Sequence, residues 1–216
     1  AYISAQVGVV VVNLSKKEIT DTYRIGAVRS VCIINNTLYA LTNTGIRQGK
    51  LSDNLLDEAN WNQLSIQTDQ FELSNITKIA DFQNKLCMCV YAKGVYYLNN
   101  NNVTRFLLDY NLSGMKVENG KLMAFTPYGF YVSTDLVNFQ TITGGLNSLK
   151  DVTYLQTADT YWLACGTNGI MGVKKKSGSN SYDVLVDGLT INSPKRNYAW
   201  DLKYEGGKLW VTGGGR

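Results

Sequence analysis

The chain has 216 residues, 44% of them hydrophobic, which is enough to bury a substantial core. Its 21 basic and 17 acidic residues leave a formal charge of +4, far from the basic stripe that marks a nucleic-acid binder. Histidine is absent, and the longest apolar run, Val7 to Val12, is strand-sized, so neither a histidine-based site nor a membrane-spanning helix of roughly 18 apolar residues is present in the sequence.

Fourteen tyrosines and 20 glycines against two prolines predict strands punctuated by glycine turns. In chain order, Ala1–Ile25 supplies three strands around Gly8. A fuller unit follows: a strand at Val31–Ile34, the turn Asn35-Asn36, a strand at Leu38–Thr42, the turn Thr44-Gly45, and a last strand at Trp61–Leu64. The pattern returns with Ile76–Ala80, Gln83-Asn84, Leu86–Val90, Lys93-Gly94 and Val103–Leu108. It returns again with Met115–Val117, Glu118-Asn119-Gly120, Leu122–Thr126, Tyr128-Gly129 and Phe139–Ile142. The next copy reads Val152–Leu155, Ala158-Asp159, Trp162–Gly166, Asn168-Gly169 and Tyr182–Val186. Tyr198–Gly213 supplies two strands about Glu205-Gly206-Gly207.

The turn glycines Gly8, Gly45, Gly94, Gly129 and Gly169 are spaced by 37, 49, 35 and 40 residues. That is close to the roughly 40–45 residues of a four-stranded propeller blade. A β-sandwich is the structural alternative, and the regular period argues against it. The expected fold is therefore an all-β β-propeller: four complete four-stranded blades, with partial blades at Ala1–Ile25 and Tyr198–Gly213. The four first strands lie innermost. The chain starts abruptly inside a strand, without a signal peptide, and is read as a single propeller domain, or part of one, from a longer multidomain protein. Its incomplete end sheets, near Ala1 and Trp210, would offer edges for strand pairing.

The run GVVVVNLSKKEITDTYRIG from Gly8 to Gly26 resembles the N-terminal propeller of PorZ-like proteins, components of the type IX secretion system of Bacteroidetes. A second match runs from Leu38 to Ile46 (LYALTNTGI) into Asn54–Trp61 (NLLDEANW). The resemblance is specific over residues 1–65 and looser beyond. It implies a non-enzymatic module exported to the periplasm or outer cell surface. There it would bind other secretion-system proteins or an anionic lipopolysaccharide. Related propellers form the periplasmic, ligand-sensing halves of hybrid two-component receptors, which is the alternative function.

A glycoside-acting enzyme is the weakest of the alternative readings. Propeller glycosidases need paired carboxylates, and sialidases add an arginine clamp, yet the six arginines do not recur at matching blade positions. Ser133–Phe139 is reminiscent of the Asp-box hairpin of sialidases, with Val137 where that motif has glycine, and is read as a turn-stabilising device. Cys32, Cys87, Cys89 and Cys165 lie in apolar strands and are read as buried free thiols; no metal and no cofactor is expected. Lys174–Lys176 is read as a solvated hairpin tip.

Binding is expected at the mouth, where a propeller gathers its blade-to-blade connections and its second-to-third-strand turns. Those segments carry Arg24, Arg29, Lys93, Tyr128, Asn168, Lys195 and Arg196. Basic and aromatic groups on one face suit an anionic sugar or a protein loop. No nucleic-acid partner is expected.

Overall fold

The structure, a computed structural model, describes residues 1–109, 111–143, 146–179, 181–189 and 199–213. The chain divides into two compact units, Ala1–Tyr110 and Asn111–Arg216, and each is described by itself. Lys195 and Arg196 lie outside the described residues, as does Tyr198 at the start of the last expected partial blade.

The first unit holds three antiparallel sheets. Sheet 1 is β1 (Tyr2–Ala5), β2 (Gly8–Asn13) and β3 (Glu18–Tyr23). Sheet 2 is β4 (Val28–Ile34), β5 (Thr37–Thr42), β6 (Gly45–Lys50) and the short β7 (Asn62–Gln63). Sheet 3 is β8 (Ile76–Phe82), β9 (Lys85–Val90), β10 (Gly94–Asn99) and β11 (Asn102–Leu107).

The second unit repeats the plan. Sheet 4 is β12 (Gly114–Glu118), β13 (Lys121–Thr126), β14 (Gly129–Ser133) and β15 (Gln140–Thr143). Sheet 5 is β16 (Asp151–Leu155), β17 (Thr160–Ala164), β18 (Ile170–Lys175) and β19 (Tyr182–Leu189). Sheet 6 is β20 (Ala199–Glu205) paired with β21 (Lys208–Gly213). Strands run through each sheet in sequence order, so every sheet is a meander. Among the described residues, four complete sheets with three- and two-stranded partial sheets at the ends match the sequence reading, and the helical content is confined to 3-10 turns.

The hairpin chemistry explains the meander. Asn35-Asn36, Gln83-Asn84, Asn119-Gly120 and Gly206-Gly207 all take positive φ at both turn residues, the type I′ geometry that matches strand twist. The glycine that opens each third strand has a different reason. At Gly8 and Gly94, φ is +136° and +120°, and an added Cβ would meet the carbonyl oxygens of Tyr23 and Leu107 at 1.8 and 1.9 Å. At these two positions, and at Gly129 where the Ile142 carbonyl oxygen would be met at 2.7 Å, the last strand's backbone passes where a side chain would stand, so glycine is a steric requirement there. At Gly45 the near neighbour is the Gln63 side chain.

Central strands are buried on both faces. In β9, Leu86, Cys87, Met88, Cys89 and Val90 are all buried. Leu86, Met88 and Val90 join Leu41, Ile46 and Ile76 in the core between sheets 2 and 3. Between sheets 1 and 2, Val9, Leu38 and Ala40 pack with Leu55 and Trp61. In the second unit, Met123, Phe125 and Phe130 face Val152, Tyr161 and Leu163. A smaller core joins Ala164 and Ile170 to Ala199 and Leu202.

Polar groups tie the first strands of adjacent sheets. Ser30 Oγ on β4 donates to the Ile79 carbonyl at 3.1 Å and accepts from Ile79 N at 3.2 Å. In the second unit, Lys116 Nζ on β12 lies 2.6 Å from Asp151 Oδ2 on β16 and also donates to the Leu202 carbonyl on β20 at 2.6 Å. The same Asp151 oxygen accepts from Leu202 N at 2.8 Å. One layer on, Glu118 accepts from the Thr153 hydroxyl and from Tyr154 N, while Thr153 Oγ1 accepts from Tyr204 N. Burial pushes the Asp151 carboxyl up to about 7, reinforced by the neighbouring Asp201 carboxyl and opposed by Lys116 and the Leu202 amide.

Two outcomes are expected. Gly94→Ala should destabilise the chain by at least about 3 kcal/mol in urea unfolding, since it combines a positive φ with a backbone collision. Lys116→Met should cost about 2–4 kcal/mol at pH 8 and markedly less at pH 5. A carboxyl with a raised folded pKa makes the protein more stable as pH falls towards the unfolded value, because the folded state then holds the extra proton. At pH 5 Asp151 is protonated and the missing cation matters little; equal losses at both pH values would contradict the assignment.

Candidate functional site

The mouth end of each sheet is built from the turn between its second and third strands and the segment entering its first strand. The second-to-third-strand turns of sheets 2 and 4 share one device. Thr42 Oγ1 donates to the Gly45 carbonyl at 2.9 Å and accepts from Thr44 N at 3.3 Å. Thr126 Oγ1 likewise donates to the Gly129 carbonyl at 3.2 Å and accepts from Tyr128 N at 3.1 Å. A threonine ending the second strand closes the turn on itself and leaves the middle residue facing outward.

In the first unit, Arg24 is exposed in the connection between β3 and β4, and Lys93 is exposed in the turn before β10. Arg29 lies within β4, where the pairing with β5 shifts register between Val28 and Ser30. The extra residue turns the Arg29 side chain outward from the sheet. Its guanidinium donates to the Thr42 carbonyl at 3.0 Å and to the Ser74 carbonyl at 3.5 Å, spanning sheets 2 and 3. The adjoining Asn75 carbonyl accepts from Tyr91 N, and Tyr91 is 65% exposed. Arg29 and Tyr91 are therefore both tied to the Ser74-Asn75 segment, and Lys93 stands two residues on from Tyr91 in the same turn. Arg29 serves as a clamp between sheets as well as a surface cation.

In the second unit, Tyr128 is 64% exposed at the tip of its turn, and Asn168 is exposed in the turn before β18. The Pro127 carbonyl accepts from Leu149 N, linking the Tyr128 turn to the segment entering β16. Lys150, the last residue of that segment, places Nζ 5.5 Å from the Trp200 ring centroid. Trp200 is the second residue of β20 and is 48% exposed. Gly166, in the Asn168 turn, exchanges both backbone hydrogen bonds with Ala199 at 3.0 Å. Tyr128, Lys150, Trp200 and Asn168 thus follow one another along the mouth end of this unit.

Lys150 and Trp200 are absent from the sequence reading. Strict alternation puts Trp200 on the same face as buried Leu202, and so in the core. The register shift between Ala199 and Asp201 breaks that phase and turns the indole out. The same kind of shift occurs at Arg29 in β4 and at Thr77 in β8. The only sequence signal was an aromatic entering a first strand where the other copies carry a small or polar residue.

The remaining candidate chemistry is structural. In the Asp-box-like hairpin, Asp135 Oδ1 accepts from Val137 N at 2.9 Å and Asn138 N at 2.6 Å, which lowers its pKa and fixes the turn. The four cysteines are free thiols; Cys87, Cys89 and Cys165 are buried as expected, whereas Cys32 is only half-buried. Burial pushes Cys32 and Cys87 up to about 12 and Cys165 to about 11, and raises Cys89. Such thiols are protonated at neutral pH and poor nucleophiles. Labelling with a thiol reagent should be slow in native protein and reach four groups only on unfolding; rapid modification of any buried thiol would contradict this packing.

Residues 1–62 match the family model for the N-terminal β-propeller domain of PorZ from the type IX secretion system. Among solved structures, the chain is similar to PorZ, described as an essential bacterial surface component of the type-IX secretion system of Porphyromonas gingivalis. The TM-score is 0.76 at 19% identity, over 98% of this chain and 28% of that one. It is also similar to the extracellular domain of a putative hybrid two-component system from B. thetaiotaomicron, with a TM-score of 0.70 at 14% identity over 97% of this chain and 29% of that one. The chain thus spans less than a third of the length of either. No curated protein sequence matches it. The fold is a β-propeller fold, and the resemblance read from the first 65 residues agrees with the family match.

The matched segment explains its own signature. Asp57 caps the 3-10 turn Glu58–Asn60 through Ala59 N, Asn60 Nδ2 donates to the Asn54 carbonyl, and the Trp61 indole donates to the Leu55 carbonyl at 3.0 Å. Leu55 and Trp61 then fill the core between sheets 1 and 2. The Asn54–Trp61 stretch is a folded plug, and Arg24 and Arg29 stand in another part of the matched segment.

Proposed function

We propose that this propeller is a non-enzymatic binding module of an exported protein, acting at the periplasmic or outer face of a type IX secretion system. Its mouth end holds an anionic surface polysaccharide or a partner protein's loop. The observation that carries the proposal is the exposed Trp200 indole with the Lys150 ammonium beside it, followed along the same end by Tyr128 and Asn168. A flat aromatic face suits the apolar face of a sugar ring, and an adjacent ammonium suits its acidic substituent. Arg24, Lys93 and Tyr91 give the first unit the same mixture of cation and aromatic.

A second reading is supported by the similarity to the two-component extracellular domain. In it the same mouth senses a saccharide and passes the signal to a receptor. A membrane-spanning helix and kinase signatures in the same gene would favour the sensor; further secretion-type domains would favour the first reading.

The test is binding of purified anionic lipopolysaccharide at low and physiological salt. Trp200→Ala with Lys150→Ala should weaken binding at least about tenfold and flatten its salt dependence, since stacking and a charge-assisted contact are together worth about 2 kcal/mol or more. Arg29→Ala should have a smaller effect on affinity and lower stability instead, because its guanidinium is already engaged by two carbonyls. Unchanged binding in the double variant would remove the glycan from the proposal, and hydrolysis of a glycoside by the chain would refute the non-enzymatic reading.

A further inference from the structure

At the opposite end of the strands from the mouth, the second unit has a cleft of about 320 Å³ between sheets 4 and 5. Its lining includes Lys121 and Gln140 from sheet 4, and Tyr161, Lys174, Lys175 and Lys176 from sheet 5 and the tip beyond it. The volume lies at the small end of the range for small-molecule sites, which starts at about 300 Å³.

The cleft continues the interior packing between the sheets. Met123 and Val173 are members of the core between sheets 4 and 5. Two residues before Met123 on β13 is Lys121, and two residues after Val173 on β18 is Lys175. Strand alternation puts each lysine on the same face as its core neighbour, so the pair caps the end of the core. Both are half-buried, and among the described residues neither forms an ion pair. The Lys121 ammonium stands 4.3 Å from the Tyr154 ring centroid and 6.0 Å from that of Tyr161. Aromatic faces hold it in place without neutralising it.

Acidic groups nearby are few and engaged. Asp159, the one carboxylate among the lining residues, accepts from the Tyr154 hydroxyl at 2.8 Å. Lys176 is paired with Asp183 at 3.0 Å, leaving Lys174 to add charge at the rim. Asp135 lines a neighbouring groove that shares Lys121 and Gln140, and its carboxylate is occupied by the backbone amides of its own turn.

We infer that this cleft is an oxyanion site that takes the phosphoryl group of a small polar molecule, with Lys121 and Lys175 as its principal contacts. The charge run Lys174–Lys176 is then part of a site and more than a solvated tip. Two half-buried ammoniums that line one cleft without an ion-pair partner among the described residues disfavour one another, and a doubly charged oxyanion held by both offsets that repulsion. Gln140 offers an amide donor, and the Tyr161 wall leaves room beside the anion for a sugar-sized group. The site is independent of the mouth, so its failure leaves the mouth proposal untouched.

The probes are glucose 6-phosphate, glucose and inorganic phosphate, titrated calorimetrically into the chain at low salt. Glucose 6-phosphate should bind saturably and glucose should not. Lys121→Ala with Lys175→Ala should weaken binding at least about tenfold, whereas Lys121→Arg with Lys175→Arg should retain it and Lys208→Ala should leave it unchanged. Thermal melting of each variant checks folding. Phosphate binding as tightly as glucose 6-phosphate, with the same dependence on the lysines, would support the oxyanion site and assign it to the free anion. Absence of saturable phosphoryl binding, or equal binding by the folded alanine double variant, would overturn the inference.

Discussion

A four-stranded meander whose central strands are apolar on both faces cannot bury itself, and this constraint governs the structure. β9 and β13 each present runs of five buried residues, where a sheet with one wet face would alternate. Each such sheet therefore needs a neighbouring sheet to cover it, as sheets 2 and 3 do for one another in the first unit and sheets 4 and 5 in the second, and repetition of the unit supplies that neighbour. A glycine opening the strand serves the same end at Gly8 and Gly94. It lets the fourth strand close over the third without a side chain forcing the sheet apart, as the clash distances at Gly8 and Gly94 show.

Apolar packing sets the stacking, and polar ties give it register. Hydrophobic contact is non-directional, so two flat sheet faces could slide past one another with little cost. Ser30 in the first unit and the Lys116–Asp151 pair in the second fix the first strands at defined heights, through hydrogen bonds to backbone groups of the next sheet. Arg29 adds a third tie at the mouth end. A residue that clamps two sheets is half committed to structure, which is why a surface arginine in this fold is a weaker guide to ligand contact than its charge suggests.

Function in such a repeat is placed at the ends of strands, because the strands themselves are consumed by packing. The two ends of the second unit differ in character. The mouth carries exposed aromatic surface with a single adjacent lysine, while the opposite end carries clustered lysines over tyrosine rings. One suits a ring with a charge at its edge; the other suits a compact anion. Both arise from the same meander, differing only in which residues the turns happen to present.

The sequence by itself determined the period, the number of sheets, the hairpin turns and the burial of Cys87, Cys89 and Cys165. Each of these follows from local chemistry: Asn and Gly tolerate positive φ, and apolar runs of strand length bury. It also placed Tyr128, Asn168, Arg24 and Lys93 in turns and connections, because those are read from position in the repeat. Only the tertiary structure decided that Trp200 faces outward, since one extra residue in a strand reverses the phase on which alternation depends. Only it showed that Arg29 is held by the Ser74 carbonyl 45 residues away, and that Lys121 and Lys175, 54 positions apart in sequence, cap one core. Which residues meet across two sheets is set by how the sheets stack, and no local pattern in the chain records that.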